Sequence, residues 1–562
     1  MRKKQLAIGA SDFKEICENY YYVDKSLLIQ ELLDAGSKIS LITRPRRFGK
    51  TTNLSMLKYW FEHTDNQDSS KIFQNLAIWQ QGEDYTKHCG SYPVISLTFK
   101  DIKETSWESC QEKIKFLLSD EYNRHNYLLD SESISAANKE TFAELASRKG
   151  NMSLLENSLK ILIDLLHTHF HKKVVILIDE YDTPIIEAYD KGFYQEAIGF
   201  FRSLLGTGLK DNSSLFKGVL TGILRIGKES VFSDLNNFDV YTTLSHRYAD
   251  KFGLLQAEVS QALQYYDLEA RAEDVKNWYN GYVFGKVHDI YNPWSILTFI
   301  HKHEEGLLPH WINTSSNLLI KELLSQADIE AKQDMEDLVA GKAIYKEIIP
   351  DTVFSDLTRS SDSLWSFFLF CGYLKVVRQN LTENGILFCE LAIPNREVAF
   401  IYKRFLNSWF SDHLLSTEVK LLLQCLLNGE VHPFGEILSK FVANSMSYFD
   451  PSGEDAEKVY HAFVLGLLLQ LSDSYQVKSN RESGYGRYDI MLIPKSNNDA
   501  GVIIEFKKVS YYRKETLEIA ANLALEQIQD KQYESELQSL GIGTIHKYGI
   551  AFDKKDVLVK LG

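Results

Sequence analysis

Glycine, lysine and threonine stand together near the N-terminus, directly after a short apolar segment. The segment KISLIT at 38–43 is followed by RPRRFGKTT at 44–52 and then by the helical pattern NLSMLKYWFEH. These residue types, at this spacing between a strand and a helix, are typical of the Walker A phosphate-binding loop, GxxxxGK[ST]. We expect backbone amides near Gly49 to approach phosphate, Lys50 to reach the terminal phosphates, and Thr51 to offer a hydroxyl to Mg²⁺.

One position of this loop departs from the consensus, since Arg44 stands where the first glycine is expected. That glycine mainly eases the turn, and Pro45 can pre-set part of the turn instead. The alternative is a solvated basic turn followed by an ordinary helix N-cap. The loop residues that we predict to bind nucleotide are Arg47, Phe48, Gly49, Lys50, Thr51 and Thr52.

A second apolar strand ends in two acids, as a Walker B strand does. It reads VVILIDE at 174–180, so Asp179 is predicted to hold Mg²⁺ through water and Glu180 to polarise the attacking water. A core strand that ends in solvated acids is the common alternative. Because a GKT loop follows another strand of the same chain, the pair of motifs favours ATP and Mg²⁺ as cofactors.

A third strand carries a weaker signal. VLTG at 219–222 ends in Thr221, which we predict to sense the γ-phosphate, and Arg225 follows closely. Arg225 is predicted to stabilise charge there, in cis or from a neighbouring subunit, and the second arrangement would require a homo-oligomer. A Thr-Gly turn followed by a surface arginine explains the same residues.

A second set of acidic and basic residues lies near the C-terminus. Asp489 falls within the strand-like GRYDIMLI, and Glu505 and Lys507 fall within VIIEFK, on one face because side chains repeat every two residues. Two carboxylates on adjacent strands can share Mg²⁺ or Mn²⁺, and a lysine beside them can orient or deprotonate water. An amphipathic edge strand with exposed charges is the alternative.

The segments around these acids extend the prediction. Glu457 and His461 are four residues apart on a predicted helix, so they share one face; Glu457 is predicted to complete the metal shell and His461 to be packed. The run KKVSYYRK at 507–514 mixes basic charge with aromatic rings, which suits nucleic acid, DNA or RNA. A charged surface loop explains that run too.

The remaining pattern predicts an α/β protein of several domains. Short apolar runs rich in β-branched residues indicate a parallel sheet within 1–248 that is covered by helices. We expect a helical lid with a winged-helix-like module over 249–400, including a hairpin around the turn LTEN. A helical connector over 401–450 and an α/β domain over 451–562, with the order helix, three strands, helix, strand, complete the chain.

Composition limits the classes of protein. With 44% apolar and 25% charged residues the chain is of the globular type, and its net charge of -14 argues against coating nucleic acid by charge alone. Six cysteines without a CxxC pair indicate neither a zinc site nor a disulfide framework, which fits a reducing cytoplasm. No secretory signal and no apolar stretch near about 18 residues is visible, so we expect no membrane segment.

Several of these runs together resemble a known family. YYYVDKSLLIQELL, LITRPRRFGKTTNLSMLKYWFE, VVILIDEYDTPI, NGYVFG and YNPWSIL are similar to the bacterial AAA-ATPase-like proteins that carry a C-terminal PD-(D/E)XK nuclease-like domain. RPRRFGKT is the usual form of the loop there, so the resemblance implies an inherited variant of the loop. It also implies that 22–25 lies near the nucleotide end of the fold, and that Asn292 and Pro293 belong to a lid near the base. An asparagine and a proline that simply begin a helix are the alternative.

The resemblance also covers the C-terminal acids. The D-x15-E-x-K arrangement of Asp489, Glu505 and Lys507 is the one with which the PD-(D/E)XK fold cuts phosphodiesters, although Gly486 stands in place of the nominal proline. In that family a glutamine or lysine on the next helix lines the cleft, and this helix region carries Gln527, Lys531 and Tyr533.

Two functions of different classes remain open. The first is an ATPase P-loop unit coupled to a Mg²⁺-dependent nuclease that acts on nucleic acid. The second is a nucleotide-controlled switch or scaffold whose C-terminal domain binds a partner without cutting. The three residue types at 489, 505 and 507 favour the nuclease, because a binding domain has no need of all three.

Overall fold

The chain divides into two compact units. The N-terminal unit comprises Met1–Leu319 and Tyr345–Val398, and the C-terminal unit comprises Ile320–Ile344 and Ala399–Gly562. The computed structural model describes residues 3–64, 69–226, 238–311, 323–324, 329–339, 341–350, 361–402, 416–445, 464, 467–468, 471, 474–483, 486–496, 499–510, 515–553 and 556–562.

The described elements are numbered here in chain order. The strands are β1 Ile39–Thr43, β2 Val94–Thr98, β3 Val174–Asp179, β4 Leu215–Gly222, β5 Phe238–Tyr241, β6 Leu254–Leu255, β7 Asn280–Phe284, β8 Val287–Tyr291, β9 Ile344–Glu347, β10 Lys375–Leu381, β11 Leu387–Ala392, β12 Tyr475–Ser483, β13 Gly486–Pro494, β14 Gly501–Lys508, β15 Ile545–Asp553 and β16 Asp556–Leu561. The helices are α1 Phe13–Asn19, α2 Leu27–Leu33, α3 Lys50–Phe61, α4 Ser70–Phe73, α5 Glu83–Thr86, α6 Trp107–Arg124, α7 Ala136–Ala146, α8 Met152–Glu156, α9 Ser158–Phe170, α10 Thr183–Lys191, α11 Tyr194–Leu209, α12 Gln256–Tyr265, α13 Ala272–Tyr279, α14 Pro293–His301, α15 Ile329–Val339, α16 Ser361–Phe370, α17 Ser416–Asn428, α18 Val431–Ser445, α19 Leu517–Asp530 and α20 Ser535–Ser539.

A five-stranded parallel sheet forms the centre of the N-terminal unit, in the order β2-β3-β4-β1-β5. Strands β1 and β3 are buried along their whole length, as strands with both faces covered are. This confirms the predicted α/β fold. Strand β4 is the neighbour of both, so the carboxyl ends of β1, β4 and β3 lie side by side at one edge of the sheet.

Two small three-stranded sheets follow along the chain, in the orders β6-β8-β7 and β10-β11-β9. Strands β10 and β11 pair antiparallel, from Lys375 opposite Ala392 to Leu381 opposite Leu387. The hairpin predicted around LTEN is therefore present. Helix α14 begins at Pro293, and the side chain of Asn292 caps it by accepting from the Trp294 amide at 2.9 Å.

The C-terminal unit holds a mixed five-stranded sheet in the order β12-β13-β14-β15-β16. Only β14 and β15 pair parallel; the other neighbours are antiparallel. One hydrophobic cluster joins α17 and α18 to this sheet, and a second cluster joins α19 to it through Ile503 and Ile528. The sheet therefore lies between helices.

One detail of the predicted element order was wrong. We expected a single strand after the last long helix, whereas the structure has two, β15 and β16, which pair antiparallel with Asp553 opposite Asp556. A short polar stretch divides one long apolar run into a hairpin there. The helix predicted before β12 falls largely outside the described residues.

Candidate functional site

The phosphate-binding loop has the backbone conformation of an anion-binding nest. Arg47 and Gly49 both have left-handed backbone angles, with φ of 70° and 85°, and α3 begins at Lys50. Such alternation turns successive amides towards one side, where an anion can accept from them next to the helix N-terminus. A Cβ at position 49 would meet nothing within 4 Å, so packing does not exclude a side chain there. Glycine is favoured at this position because of its positive φ.

Arg44, which replaces the first glycine, is a buried structural residue. Its guanidinium donates to the carbonyl oxygens of Thr43, Tyr241 and Tyr248 at 2.8, 3.0 and 3.3 Å. It also lies 5.4 and 5.1 Å from the rings of Phe252 and Phe284. Burial lowers the pKa of Arg44 to about 9, so the side chain remains charged at neutral pH. The sequence did not reveal this role.

Lys50 lies inside the loop that it is predicted to serve. Its Nζ donates to the carbonyl oxygens of Arg44 and Pro45, both at 2.9 Å. Burial lowers the pKa of Lys50, and the charges of Glu180 and Asp179 oppose that shift. A phosphate in the nest would offer this ammonium stronger acceptors than the two carbonyls.

Asp179 joins the three predicted strand ends. Its carboxylate accepts from Thr51 Oγ1 and from Thr221 Oγ1, each at 2.6 Å. Thr221 lies on β4, the strand between the loop strand and the acidic strand. Burial raises the pKa of Asp179, and the bonds from Thr221 and Thr51 oppose that shift. The structure thus brings Thr51 and Asp179, which we predicted to hold Mg²⁺, together with Thr221, which we predicted to sense the γ-phosphate.

The other predicted residues of this site lie around that centre. Glu180 has a left-handed φ of 50° and accepts from Thr183 Oγ1 at 3.1 Å. The guanidinium of Arg47 lies 4.0 Å from the ring centroid of Trp294. Thr52 is half-buried in the first turn of α3, and Arg225 is half-buried beyond the end of β4.

Phe48 does not present its side chain to a nucleotide. The ring is 1% exposed and packs edge-on against Tyr282, with centroids 4.9 Å apart, and against Phe284 at 5.3 Å. Only the backbone amide of Phe48 remains for a phosphate. The motif predicts a loop residue at this position, but it cannot show that the side chain belongs to the core.

Asp182 is a buried acid that the sequence analysis missed. Its Oδ2 accepts from the amides of Ile223 and Leu224 at 2.7 and 2.9 Å. Burial raises the pKa of Asp182 to about 6, and the two amides oppose that shift. The sequence feature that could have indicated Asp182 is its place as a third acid, three residues after Asp179, in the run DEYD.

In the C-terminal unit, Asp489 and Glu505 meet where two strands separate. The β13–β14 ladder runs from Leu492 to Ile490, and Asp489 is the next residue. Beyond that point the Phe506 amide donates to Asp489 Oδ2 at 2.8 Å, and the Asp489 amide lies 3.4 Å from Glu505 Oε2. The two predicted acids are therefore neighbours at the mouth of this opening.

Charge and hydrogen bonding at Glu505 suit a cation site. Burial and the charge of Asp489 raise the pKa of Glu505 to about 8, against the charge of Lys507. Lys507 Nζ lies 3.4 Å from Glu505 Oε1. Gln527 Nε2 donates to the same oxygen and lies 3.2 Å from the Tyr533 hydroxyl. The carboxylates of Asp489 and Glu505 repel each other, and a cation between them would relieve that repulsion. Carboxylate oxygens are ligands that suit Mg²⁺ or Mn²⁺.

Glu457, the predicted third metal ligand, lies outside the described residues, and so does His461, which we predicted to be packed on the same helix face. The aromatic and basic part of the KKVSYYRK run, at 511–514, does too. Within the described ranges no group of three or more His, Cys, Asp or Glu side chains is placed to hold a metal ion. Asp489 and Glu505 therefore stay two predicted ligands of a metal ion, and Glu457 stays the predicted third.

Comparison with known proteins finds one matching domain family within each unit. A family profile described as "Predicted AAA-ATPase" matches residues 7–232, and the profile of the PD-(D/E)XK nuclease superfamily matches residues 455–561. The chain therefore combines an AAA-ATPase-like domain with a PD-(D/E)XK nuclease-like domain. It is also similar to the "Uncharacterized protein in vnfD 5'region" of Azotobacter chroococcum mcd 1, at 24% identity over 99% of this chain and 97% of that protein.

The described helices were also compared with the length and hydropathy that a membrane span needs. None of those in the described part of the chain is both long enough and apolar enough to cross a bilayer.

Proposed function

We propose that the N-terminal unit binds and hydrolyses ATP with Mg²⁺. The loop amides from Arg47 to Thr52 and the Lys50 ammonium would hold the phosphates, and Thr51 and Asp179 would hold the ion. Glu180 would polarise the attacking water, while Thr221 and Arg225 would respond to the γ-phosphate. The convergence of Thr51 and Thr221 on the Asp179 carboxylate, each at 2.6 Å, supports this assignment most directly.

We propose that the C-terminal unit cleaves the phosphodiester bonds of DNA or RNA. Asp489 and Glu505, with Glu457, would hold Mg²⁺ or Mn²⁺, which when bound supplies charge stabilisation and an activated water. Lys507 would orient that water and steady the phosphate charge. One observation carries the proposal: two carboxylates meet beside an ammonium, and the pKa of Glu505 is raised to about 8 by burial and by Asp489.

The nuclease proposal is tested by incubating the full chain with labelled single- and double-stranded DNA and RNA, with and without ATP and Mg²⁺. We expect cleavage that requires the metal and that Lys507→Ala lowers by about 100-fold or more. Lys560→Ala is a matched control in the same sheet, because the side chains of Lys560 and Lys507 are 30% and 28% exposed. Undiminished cleavage by Lys507→Ala would remove the nuclease assignment.

The ATPase proposal is tested by phosphate release. We expect Glu180→Gln to bind ATP with affinity close to that of the parent protein but to lose turnover by about 100-fold, since only the positioning of water is removed. A parent protein that binds ATP without releasing phosphate would indicate a nucleotide-binding unit instead.

The alternative, a nucleotide-controlled switch that binds a partner without cutting, is separated by the same experiments. It predicts ATP binding together with no metal site that depends on Asp489 and Glu505.

We further propose a reducing cytoplasm as the compartment, because all six cysteines are free thiols. Arg225 acting from a neighbouring subunit would require a homo-oligomer, which light scattering with and without ATP would detect.

A further inference from the structure

The turn after β3 and the segment after β4 are bonded to each other through two buried side chains. Asp182 Oδ2 accepts from the amides of Ile223 and Leu224 at 2.7 and 2.9 Å. The Tyr181 hydroxyl donates to the Leu224 carbonyl at 2.7 Å and accepts from the Ile226 amide at 3.1 Å. Four hydrogen bonds therefore fix the backbone from 223 to 226 against the acidic turn.

This contact is closely packed as well as hydrogen-bonded. Tyr181 and Asp182 are 0% and 1% exposed. A Cβ added to Gly222 would lie 2.7 Å from Asp182 Oδ1 and 2.7 Å from the Tyr181 ring. Even the smallest side chain at 222 would therefore displace one of the two residues.

Arg225 lies inside the segment that this contact fixes. Its neighbours on either side, Leu224 and Ile226, are both bonded to the Tyr181 hydroxyl. Tyr181 itself directly follows Glu180, and its amide donates to the Thr221 carbonyl at 3.1 Å. A displacement of the acidic turn would accordingly carry the backbone of Arg225 with it.

We propose that Tyr181 and Asp182 are positioning residues that hold Arg225 in a fixed relation to Glu180 during ATP hydrolysis. The inference rests on the proposed ATPase function and assigns the DEYD run two parts. Asp179 and Glu180 would act at the nucleotide site. The following Tyr181 and Asp182 would fix the backbone of the segment after β4 relative to them through their hydrogen bonds.

Tyr181→Phe tests this on the full chain, because it removes both hydroxyl bonds and keeps the ring. We expect kcat for ATP to fall about 10-fold while KM stays within about twofold, since an interaction that matters for the transition state is lost. Adding Arg225→Ala to Tyr181→Phe should lower kcat no further than Arg225→Ala alone does, because the tyrosine acts through the arginine.

Tyr122→Phe is the matched control. Tyr122 is equally buried and its hydroxyl donates to the Ser158 carbonyl at 2.7 Å, but this bond joins α6 and α9. A general effect of losing one buried hydroxyl would appear in both variants. Equal losses of kcat in Tyr122→Phe and Tyr181→Phe would overturn the inference.

A second variant approaches the same contact by sterics. Gly222→Ala should lower kcat as Tyr181→Phe does, whereas Gly206→Ala should not, because a Cβ at 206 meets nothing within 4 Å. If Tyr181→Phe and Gly222→Ala retain the parent kcat while Glu180→Gln is inactive, the inference fails and the ATPase proposal stands. A parent protein without ATP turnover overturns the proposed function, and the inference with it.

Discussion

At the scale of single residues, the loop RPRRFGKTT shows how a phosphate-binding loop tolerates the loss of its first glycine. The backbone nest is formed by Arg47 and Gly49, which both have positive φ. Arg44 takes the glycine's place in the sequence but turns its side chain into the core, where three carbonyl oxygens accept from it. The loop is thereby tied to β5 and to the backbone at Tyr248.

We predict that placing the consensus glycine at position 44 lowers the stability of the folded protein. Arg44→Gly would leave a cavity and would remove the donor to three carbonyl oxygens, so the free energy of unfolding should fall by about 3 kcal/mol. Urea unfolding monitored by circular dichroism measures this change. Arg47→Gly is the control, because Arg47 is exposed and has a φ of 70° that glycine adopts readily; its effect should stay within about 1 kcal/mol. Equal stability of Arg44→Gly and the parent protein would contradict the structural role.

The sequence predicted site residues where residue type alone determines the chemistry. Thr51, Asp179 and Thr221 follow or end short apolar strands, and the structure brings all three together. It could not predict which polar residues are buried. Arg44 and Asp182 are charged residue types that usually lie at the surface, and only the tertiary structure shows that they are buried. The loop motif also gives no indication that the Phe48 ring faces the core.

At the scale of elements, the types of strand were predictable and their order was not. Short runs rich in valine and isoleucine indicate buried parallel strands, but the position of β4 between β1 and β3 depends on long-range pairing that leaves no local pattern. The hairpin β15–β16 was missed for a related reason, since a short polar turn within one apolar run resembles a single interrupted strand.

The N-terminal segment YVDK is attached to helix α12 by a partly buried ion pair between Lys25 and Glu258. Lys25 Nζ lies 2.7 Å from both carboxylate oxygens of Glu258 and donates to the Asp250 carbonyl at 3.0 Å. Lys25→Met should lower the free energy of unfolding by roughly 2 kcal/mol, because it leaves the half-buried Glu258 carboxylate without its cationic partner. Adding Glu258→Gln should recover part of that loss, and a double-mutant cycle of urea unfolding measures the coupling. Strictly additive losses would contradict it.

Glu397 gives stability a pH dependence. Its side chain is 0% exposed, accepts from Ser295 Oγ at 2.7 Å and from the Trp311 amide at 2.8 Å, and burial raises its pKa to about 7. A raised carboxyl pKa favours the protonated folded state, so this group costs stability as pH rises from about 4.5 to about 7.

We predict that Glu397→Gln removes that dependence. Between pH 5 and pH 8 the variant should gain about 2 kcal/mol of unfolding free energy relative to the parent protein. Urea unfolding at the two pH values measures the difference, and Glu304→Gln, at an exposed position, is the control. Parallel pH profiles of Glu397→Gln and the parent protein would show that Glu397 does not titrate in this range.

At the scale of the whole molecule, each compact unit carries its own site of acids and cations. The AAA-ATPase-like domain holds Thr51, Asp179 and Thr221 at one sheet edge, and the PD-(D/E)XK nuclease-like domain holds Asp489 and Glu505 where two strands part. With a net charge of -14, the proposed affinity for nucleic acid would depend on local groups such as Lys507 and on a cation held by the two carboxylates. Function at this scale therefore depends on whether the two carboxylates share an ion.

Mn²⁺ binding to the full chain without nucleotide, measured by titration calorimetry, tests that claim most directly. We predict one site in the parent protein whose affinity falls by about 100-fold in both Asp489→Asn and Glu505→Gln, because each variant removes a charged oxygen ligand. Glu180→Gln, an acid-to-amide change in the other domain, should leave it unaltered. Equal Mn²⁺ binding by the parent protein and by Glu505→Gln would contradict the account.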